Sequence, residues 1–499
     1  MTQTAASVHP TIVEKLQYFS IDYPARSALR SAEGEWTFAE LVPTVQQFAG
    51  SAEQSGIAPG QKVGVISTDP TEDLLVRLGL IWLGAVGVSL NPGLDGAART
   101  AMAERIGLDH LLVGARAQVE GDSGILLTPE WVQRGISQPV MTPSVPEASD
   151  EIIISLSSGT TGAPTAFIYD SSALAFSVEN LKQLGMIDDG SVYVAQTAHY
   201  LNTGTSFSMV MLMAGTTVVL GSQTTSLADY VDQVRREGAT SLMLPVFAAS
   251  ALVAMKKADA GFDLGPQVRK ILIGSDYCSQ ETINEIRDHL CPDVAMAYGS
   301  SLAGMVCSIS SGEMGAKPGS AGRVLPGLTL QIVDVDDREV PVGQSGRIRI
   351  QTPASARRIL GPHKLNGEEF RDGWCYTGDI GMLDADGYLY VLGREVDVIC
   401  TAAGDVHPNQ LQRRFAQVPG ANEVVVAGVD RPEGDAIPVV FFTCADGQTP
   451  ATVEGALRER VKDLMQPLAF MQVASIPRNP VGKVVKAGLR TAFLERSGA

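Results

Sequence analysis

The sequence predicts an α/β protein with a large N-terminal domain and a small α+β C-terminal domain. Its 499 residues exceed what one hydrophobic core usually organises, which predicts at least two domains. Strand and helix patterns alternate along the N-terminal region, and short strands with turns replace them later in the chain. We therefore expect an N-terminal domain over residues 1–393, made of βα layers and a β-rich subdomain at about 319–393, and a C-terminal domain over 394–499.

The βα pattern is clearest in the first hundred residues. The stretch WTFAELVPTVQQFAGSAEQSG places Phe38, Leu41, Val45 and Phe48 on one helical face, and Gly56 favours the end of that helix. KVGVIS is typical of a short buried strand, TEDLLVRLGLIWLGA of a helix, and VGVSLNP of a second strand. Because parallel strands need crossover helices, this alternation favours a parallel sheet covered by helices.

The later segments differ from this pattern. GLTLQIVDVDDREVPVGQSGRIRIQTP, residues 327–353, reads as short strands separated by turns, and DGYLYVLGR, residues 386–394, as another strand pair. After Gly393 the segments HPNQLQRRFAQV, ANEVVVAGVD, PVVFFTC and VEGALRERVKDLM mix helical and strand patterns. This mixture predicts a compact α+β tail.

Composition excludes several classes of function. The formal net charge of −17 disfavours nucleic acid or an anionic membrane as the main partner. The most apolar stretch, residues 242–255, contains Pro245 and is shorter than the roughly 20 residues of a membrane span, so we expect a buried strand and helix there. Six cysteines without a CxxC pair, and an N-terminus without a signal-peptide pattern, predict a cytoplasmic protein. The histidines are scattered, which predicts no metal-binding cluster.

The stretch SLSSGTTGAPTAF, residues 155–167, is suited to holding an anion. Its glycines allow the backbone N–H groups to point inward and its hydroxyls add donors; the residues are Ser157, Ser158, Gly159, Thr160, Thr161 and Gly162. The Walker spacing GxxxxGK[ST] is absent. The alternative interpretation is a flexible Ser/Thr/Gly surface loop.

This loop resembles the phosphate-binding loop of the adenylate-forming (ANL) superfamily, which includes acyl-CoA and aryl-CoA synthetases, nonribosomal-peptide adenylation domains and luciferases. The resemblance spans nearly the whole chain, because other segments match superfamily motifs in the superfamily's order. These segments are IGSDY (273–277), AYGSSLAG (297–304), YTGDIG (376–381), GREVDVI (393–399) and IPRNPVGKVVK (476–486).

The resemblance implies ATP-dependent activation of an organic carboxylate as an acyl-adenylate, with release of pyrophosphate. The acyl group would then pass to a thiol, either of CoA or of the phosphopantetheine on an acyl carrier protein. ATP and Mg²⁺ are the implied cofactors, and a small carboxylic acid is the implied partner. The resemblance also implies that the C-terminal domain is mobile and takes different orientations for the two half-reactions.

The resemblance assigns nucleotide-binding roles to three side chains beyond the loop. Asp379 would accept hydrogen bonds from both ribose hydroxyls, Arg394 would reach ribose or phosphate as a forked donor, and Tyr298 would stack on adenine. The alternatives are a β-turn aspartate, a surface arginine and a core tyrosine. Further implied nucleotide contacts are Gly274, Ser275, Asp276, Gly299, Ser300 and Ser301.

The implied catalytic residues are Lys483, Arg394 and His199. Lys483 would bridge the acid carboxylate and the α-phosphate and stabilise the developing charge, unless it is an ordinary solvated lysine. His199 would form the wall of the acyl pocket together with Asn202 and Gly204, and a core histidine is the alternative. An aryl or short acyl acid is favoured, because relatives carry a histidine or aromatic residue at the position of His199 and because His407 precedes proline as in some aryl-CoA ligases.

Four positions depart from the superfamily pattern. Thr165 replaces the loop lysine, which predicts weaker binding of the ATP phosphates. Leu302 replaces a glutamate that helps to hold Mg²⁺, and an apolar side chain cannot ligate a hard cation. Val396 occupies the hinge position, and Ala403 replaces glycine beside the implied pantetheine tunnel. These departures leave two alternatives open: adenylation with a nucleophile other than CoA, for example a nitrogen nucleophile, or a divergent relative that binds nucleotide or acyl ligands with little catalysis.

Overall fold

The structure is a computed structural model of the chain, and it describes residues 10–118, 124–144, 147, 150–157, 164–221, 226–274, 278–360, 369–415, 418–430, 435–464, 467–478 and 484–497. The elements up to residue 258 are, in order, α1 (Ile12–Asp22), β1 (Ser27–Ser31), β2 (Gly34–Thr37), α2 (Phe38–Gln54), β3 (Lys62–Ile66), α3 (Pro70–Leu83), β4 (Val86–Ser89), α4 (Gly96–Ile106), β5 (His110–Gly114), β6 (Ile125–Leu127), α5 (Pro129–Ser137), β7 (Glu151–Leu156), β8 (Ala166–Asp170), α6 (Ser171–Gln183), β9 (Val192–Val194), α7 (Asn202–Met213), β10 (Thr217–Val219), α8 (Leu227–Glu237), β11 (Ser241–Pro245) and α9 (Val246–Ala258).

The later elements contain more strand. They are β12 (Lys270–Gly274), α10 (Gln280–His289), β13 (Val294–Ser300), β14 (Gly304–Ser310), α11 (Ser311–Met314), β15 (Gly322–Val324), β16 (Thr329–Val333), β17 (Gly346–Gln351), β18 (Arg358–Leu360), β19 (Phe370–Arg371), β20 (Trp374–Leu383), β21 (Tyr388–Arg394), β22 (Ile399–Thr401), β23 (Gly404–Val406), α12 (Pro408–Arg414), β24 (Ala421–Asp430), β25 (Ala436–Cys444), α13 (Pro450–Glu459), β26 (Ala469–Gln472) and α14 (Lys486–Ser497). Short 3₁₀ turns lie at Ala115–Ala117 and Glu395–Asp397.

Local sequence signals explain where the helices begin and which face they bury. Helix α2 begins with a capping box, in which the Thr37 side chain accepts from the Glu40 N–H and the Glu40 side chain accepts from the Thr37 N–H. Phe38, Leu41 and Val45 of this helix are fully buried, as their spacing predicts. Each such cap satisfies N–H groups that the first helical turn leaves without partners.

Three sheets build the larger part of the molecule. One has the strand order β18-β8-β7-β4-β3-β5-β6, one has the order β2-β1-β10-β9, and a ten-stranded sheet runs β11-β12-β13-β14-β15-β21-β20-β17-β16 with β19 on β20. The β3–β4, β3–β5 and β4–β7 pairs are parallel, as the βα alternation predicts. The predicted α/β class is thus confirmed.

The β-rich segment is continuous with the βα units before it. Strand β14 pairs with β15, and β15 pairs with β21, so the antiparallel strands extend the sheet that begins with β11–β13. The last strands form a separate three-stranded sheet, β24-β25-β26, beside the β22–β23 hairpin. Two hydrophobic clusters cover its two faces, one around Phe442 and one around Phe441. The division into domains at about residue 394 stays a prediction.

The apolar stretch at residues 242–255 forms strand β11 and helix α9, as the sequence predicts, and its leucines are buried, although Phe247 on α9 is exposed. Across the ranges that the structure describes, each helix is too short or too polar to cross a bilayer.

Two of the sheets contain neighbouring parallel strands, whose carboxyl ends lie at one edge of each sheet. Strand pairs β11–β12 and β12–β13 are parallel, with Pro245 beside Gly274 and Ile273 beside Met296. Pairs β9–β10 and β1–β10 are also parallel. Open α/β sheets bind their ligands beyond the carboxyl ends of such strands, which predicts a site among the loops that follow them.

Candidate active site

Strands β7 and β8 hold the predicted phosphate loop by its two ends. The Ser157 N–H donates to the Thr165 carbonyl at 2.8 Å, and the Thr165 N–H donates to the Ser157 hydroxyl at 2.9 Å. Because Thr165 contributes only backbone atoms to this closure, its side chain is not needed to form the hairpin. The predicted loop residues Ser158, Gly159, Thr160, Thr161 and Gly162 lie outside the described residues.

Three other predicted site residues also lie outside the described part of the chain. Ser275 and Asp276 follow the end of β12, and Lys483 precedes α14. Gly274 is described, as the last residue of β12 beside Pro245. The roles of Ser275, Asp276 and Lys483 therefore stay predictions.

The predicted ribose residues come together on strands β20 and β21. Asp379 is directly opposite Arg394 in this antiparallel pair, and the register shifts just beyond it, between Ile380 and Gly381. The Arg394 guanidinium donates to the Thr377 carbonyl at 2.8 Å and to the Asp379 Oδ1 at 3.5 Å. Asp379 is only 8% exposed, whereas the Arg394 side chain is more than half exposed, so the arginine is free to turn toward a ligand.

Tyr298 reaches the same carboxylate from β13. Its hydroxyl donates to Asp379 Oδ2 at 2.5 Å and lies 3.4 Å from the Thr377 hydroxyl. Burial, together with the Asp379 carboxylate, raises the pKa of Tyr298 well above its usual value, so the hydroxyl remains a donor at neutral pH. The sequence predicts a stacking role for this ring; the structure adds that its hydroxyl orients the carboxylate that is predicted to bind the ribose.

The end of β13 and the tight turn at residues 300–303, which we call the nucleotide turn, carry the remaining residues that are predicted to contact the nucleotide. Gly299 and Ser300 end β13, Ser301 lies in the turn, and the Ala303 N–H closes it onto the Ser300 carbonyl and hydroxyl. Leu302 is 7% exposed and packs in the main hydrophobic core.

The buried Leu302 side chain leaves no carboxylate at the position where the superfamily helps to hold Mg²⁺. Among the described residues, no group of three or more His, Cys, Asp or Glu side chains could hold a metal ion. The described residues therefore do not fit a protein-ligated magnesium at this turn.

The predicted acyl-pocket wall borders a cavity of about 320 Å³. His199 lines it from the segment between β9 and α7, Gly204 lines it from the first turn of α7, and Gln233 on α8 and Phe247 on α9 line it from other sides. A Cβ atom at residue 204 would lie 2.1 Å from the Ala198 carbonyl oxygen, so only glycine allows this wall to fold as it does.

His199 is anchored as well as lining the cavity. It is 6% exposed, and its Nε2 lies 3.0 Å from the Ser67 carbonyl oxygen at the end of β3. His199 is therefore both a buried histidine and part of the cavity wall, so the two interpretations do not exclude each other. Whether it also takes part in catalysis stays a prediction.

Asn202 does not line the cavity. Its side chain instead donates to the Tyr169 hydroxyl at 3.3 Å and accepts from the Ser206 hydroxyl at 2.8 Å. Tyr169 in turn donates to the Ser301 carbonyl. Sequence reasoning missed Tyr169, because a buried tyrosine in a strand carries no motif; only the fold brings it against the nucleotide turn.

The positions predicted to form the hinge and to border the pantetheine tunnel lie on the surface. Val396 is 75% exposed in the 3₁₀ turn Glu395–Asp397. Ala403 lies at the exposed tip of the β22–β23 hairpin, next to Gly404 with φ of +114°. The positive φ is thus placed on the one residue that adopts it without strain, and the alanine does not need it.

The chain is similar over its length to known ligases. A family model described as AMP-binding enzyme matches residues 19–360. Indoleacetate–CoA ligase of Aromatoleum aromaticum is 25% identical over 94% of this chain and 95% of its own. A 2-succinylbenzoate–CoA ligase of Bacillus cytotoxicus is 26% identical, covering 95% and 97%. The fatty acid–[acyl-carrier-protein] ligase ScoC of Streptomyces coeruleorubidus is 24% identical, covering 97% of each chain.

Solved structures share the fold at lower identity. ATP-bound MatB from Rhodopseudomonas palustris superposes with a TM-score of 0.84 at 22% identity, covering 97% of this chain and 98% of its own. O-succinylbenzoate coenzyme A synthetase from Bacillus subtilis, in complex with ATP and magnesium ion, gives 0.82 at 21% identity, covering 95% and 99%. The chain therefore belongs to the AMP-binding enzymes of the adenylate-forming superfamily, and it is an acyl-CoA synthetase-like ligase of the AMP-forming type.

Proposed function

We propose that this enzyme activates an aryl or short-chain monocarboxylic acid with ATP, forming an acyl-adenylate and pyrophosphate, and then transfers the acyl group to the thiol of CoA or of a carrier protein. The observation that carries the proposal is the pairing of two half-sites. The Tyr298–Asp379–Arg394 cluster is suited to a ribose, and the cavity beside His199 is suited to a small acid.

The nucleotide half supports binding of ATP and AMP. A carboxylate opposite two vicinal hydroxyls can accept from both, and Asp379 is held for this by the donors of Tyr298 and Arg394. The loop between Ser157 and Thr165 would receive the phosphates through hydroxyl and backbone N–H groups. Magnesium would be bound by the ATP phosphates and by water molecules, because the buried Leu302 side chain offers it no ligand.

The acid half supports a small and uncharged acyl group. A volume of about 320 Å³ is at the low end of the roughly 300–1,000 Å³ range of small-molecule pockets. The described residues that line it include no Lys, Arg, Asp or Glu. Because a buried charge without a partner is costly, an acid that carries a second carboxylate into this cavity should be rejected. The relatives include a ligase for indoleacetate, an aromatic acid with one carboxylate, which favours the aryl choice.

The chemical step needs positioning and charge stabilisation more than covalent catalysis. The acid carboxylate oxygen attacks the α-phosphorus, the bond from that phosphorus to the bridging oxygen breaks, and pyrophosphate leaves. Lys483 would stabilise the negative charge that spreads over the α-phosphate oxygens. In the second step the thiol sulfur attacks the acyl carbon, and AMP leaves with the oxygen that joined them.

The test is acid-dependent release of pyrophosphate, measured over a panel of aryl and short aliphatic acids with and without CoA. We expect one class of monocarboxylic acid to support release, and Lys483→Ala to lower the rate about 100-fold or more. Lys462→Ala, which removes an exposed lysine paired with Glu459, is the matched control and should keep full activity.

Three outcomes decide between the alternatives. Release that CoA accelerates, with formation of a thioester, supports transfer to a thiol. Release that ignores CoA and rises with an added amine would instead support a nitrogen nucleophile, which the Ala403 substitution favours. A protein that binds ATP but releases no pyrophosphate with any acid would contradict the proposal and favour a divergent binding relative.

A further inference from the structure

A chain of hydrogen bonds runs from the phosphate-loop hairpin to the nucleotide turn. The Ser155 and Ser206 hydroxyls are 3.3 Å apart, Ser206 donates to Asn202 Oδ1 at 2.8 Å, and Asn202 Nδ2 donates to the Tyr169 hydroxyl at 3.3 Å. Tyr169 then donates to the Ser301 carbonyl. Each of these contacts links a different pair of elements, except the one within α7.

The donors in this chain all point the same way. Ser206 uses its only hydrogen on Asn202, so the hydrogen between the two serines must come from Ser155. Burial raises the pKa of Tyr169, which keeps its hydroxyl protonated and able to donate to Ser301. A chain in which every group donates to the next polarises its members in the same sense and strengthens each bond.

The fold fixes the positions of these groups. Ile153 pairs with Tyr169 in the β7–β8 ladder, so Ser155 and Tyr169 lie on the same face of that sheet. Asn202 and Ser206 are one helical turn apart at the start of α7, which packs against β7. Ser155 and Tyr169 are both almost fully buried.

The nucleotide turn is held by the protein at each of its central residues. Ser301 accepts from Tyr169, the Leu302 carbonyl accepts from the Ala356 N–H at 2.8 Å, and the Leu302 side chain packs in the core. The turn therefore has a fixed position without a metal ligand.

We infer that Tyr169 and Asn202 are positioning residues that set the nucleotide turn against the wall of the acid cavity. Asn202 belongs to the segment whose neighbours His199 and Gly204 line the cavity, and Tyr169 passes its position to Ser301. The inference rests on the proposed function, because the two half-sites must serve one adenylation for their relative position to matter.

The physical reason is that the rate of the adenylation step depends strongly on the distance between the reacting atoms. The carboxylate oxygen and the phosphorus must approach to about 3–3.5 Å in line, and a misplacement of about 1 Å can lower the rate about 100-fold. A hydrogen-bond chain across the boundary between the two half-sites keeps both at one separation. Loosening it should affect the rate of the step more than the affinity for the acid.

The first test measures binding of ATP and AMP by calorimetry, which does not depend on turnover. Tyr169→Phe keeps the ring and removes only the hydroxyl, and Asn202→Ala breaks the chain one residue earlier. We expect each to weaken nucleotide binding about five- to tenfold and the double variant to be no weaker than the single ones, because both break the same chain. Tyr193→Phe, at an equally buried tyrosine in β9, is the control and should bind as the wild type does.

The second test is steady-state pyrophosphate release with the same variants. We expect kcat to fall about tenfold or more in Tyr169→Phe, with less than a twofold change in KM for the acid, and with a thermal midpoint matching that of Tyr193→Phe. A merely structural role would lower the midpoint and leave kcat unchanged.

Different failures point to different errors. Wild-type nucleotide binding and kcat in Tyr169→Phe, or effects of the two substitutions that multiply in the double variant, would overturn the inference. Binding that weakens as expected in a protein without acid-dependent turnover would support the coupling and contradict the proposed function alone. A wild-type protein that binds neither ATP nor AMP would overturn both.

Discussion

Leu302 lies in the core at the position where the superfamily usually carries a glutamate for Mg²⁺. The substitution is therefore more than the loss of a ligand, because the leucine contributes to packing and its carbonyl accepts from Ala356. Replacing Leu302 alone by glutamate should therefore not create a magnesium ligand.

Leu302→Glu should destabilise the protein without improving its use of Mg²⁺. The carboxylate would enter an apolar cluster without a partner, which we expect to lower the free energy of unfolding by about 3 kcal/mol. Chemical denaturation at pH 7.5 and a Mg²⁺ titration of pyrophosphate release measure the two effects. Leu302→Gln, equally long and uncharged, should lose less stability. An unchanged stability with a lower Mg²⁺ requirement would show that the side chain can turn out of the core.

Thr165→Lys should strengthen binding of ATP while leaving binding of AMP unchanged. Only the backbone of Thr165 closes the loop onto Ser157, so a new side chain leaves the hairpin intact. A lysine here would contact the β- and γ-phosphates, and a hydrogen bond to a charged group contributes about 1.5–3 kcal/mol, or roughly tenfold or more in Kd. Calorimetry with both nucleotides measures the change. Thr165→Gln is the uncharged control, and equal gains for ATP and AMP would contradict the explanation.

At the scale of single elements, helix α12 joins the C-terminal segment to strand β21. The Arg413 guanidinium donates to the Val391 carbonyl at 2.7 Å. His407 is the N-cap of this helix without making a side-chain cap, and Pro408 occupies the first helical position, where a missing N–H costs nothing. The partial burial of His407 makes the stability of the folded protein depend on pH.

The His407→Gln variant should lose less stability than the wild type when the pH falls from 7.5 to 5.5. Burial lowers the pKa of His407 in the folded protein, although Asp405 opposes the shift. As the pH falls below the ordinary value of about 6.5, the unfolded chain binds this proton before the folded protein does, so stability falls until the pH reaches the folded pKa and stays at the lower value beneath it. A positive charge at a helix N-terminus is also unfavourable. Urea unfolding at both pH values measures the difference, and identical pH slopes in the two proteins would contradict it.

The sequence predicts the individual elements and their local signals better than it predicts the contacts between distant elements. Helix α2 and the loop ends at Ser157 and Thr165 follow from spacing and from capping signals, which are local. Only the superfamily motifs predict that Tyr298, Asp379 and Arg394 lie together. The register between two distant strands cannot be read from the sequence of either strand alone. The sequence predicts Asn202 in the acid pocket, whereas its side chain contacts Tyr169 and Ser206. Successive residues of a helix face different directions, and the sequence alone does not show which of them faces the cavity.

At the scale of the whole molecule, the connection after β21 has one exposed residue and, beside it, one residue held by an ion pair. Val396 is exposed, whereas its neighbour Asp397 accepts from Lys486 of α14 at 2.7 Å, with both side chains about one quarter exposed. An ion pair that is largely shielded from water is screened less by salt than a surface pair. It therefore holds Lys486, at the start of α14 and three positions after the predicted catalytic Lys483 in the sequence, against the predicted hinge.

Limited proteolysis should cut the chain first near residues 396–403. A protease that cleaves after small apolar residues meets exposed Val396 and Ala403 there. Fragments ending and beginning in this range, identified by mass spectrometry, would support the predicted boundary near residue 394. Asp397→Asn should speed the cut several-fold, because it removes the tie to Lys486.

Glu395→Gln removes a nearby exposed carboxylate and is the matched control. It should be cut at the wild-type rate, since no tie to α14 is lost. First cleavage far from this range, or equal rates for Asp397→Asn and Glu395→Gln, would argue against the hinge at this place.

The one-directional chain through Asn202 and Tyr169 has a consequence for how the acid preference of such an enzyme can change. The wall at residues 199–204 serves two ligands at once, so substitutions in it that admit a new acid would also disturb ATP. Gln233 and Phe247 border the same cavity from α8 and α9, and neither is a member of this chain of hydrogen bonds. Variation should therefore accumulate on those two helices first, and a library that spares residue 202 should yield new acid preferences with fewer inactive members.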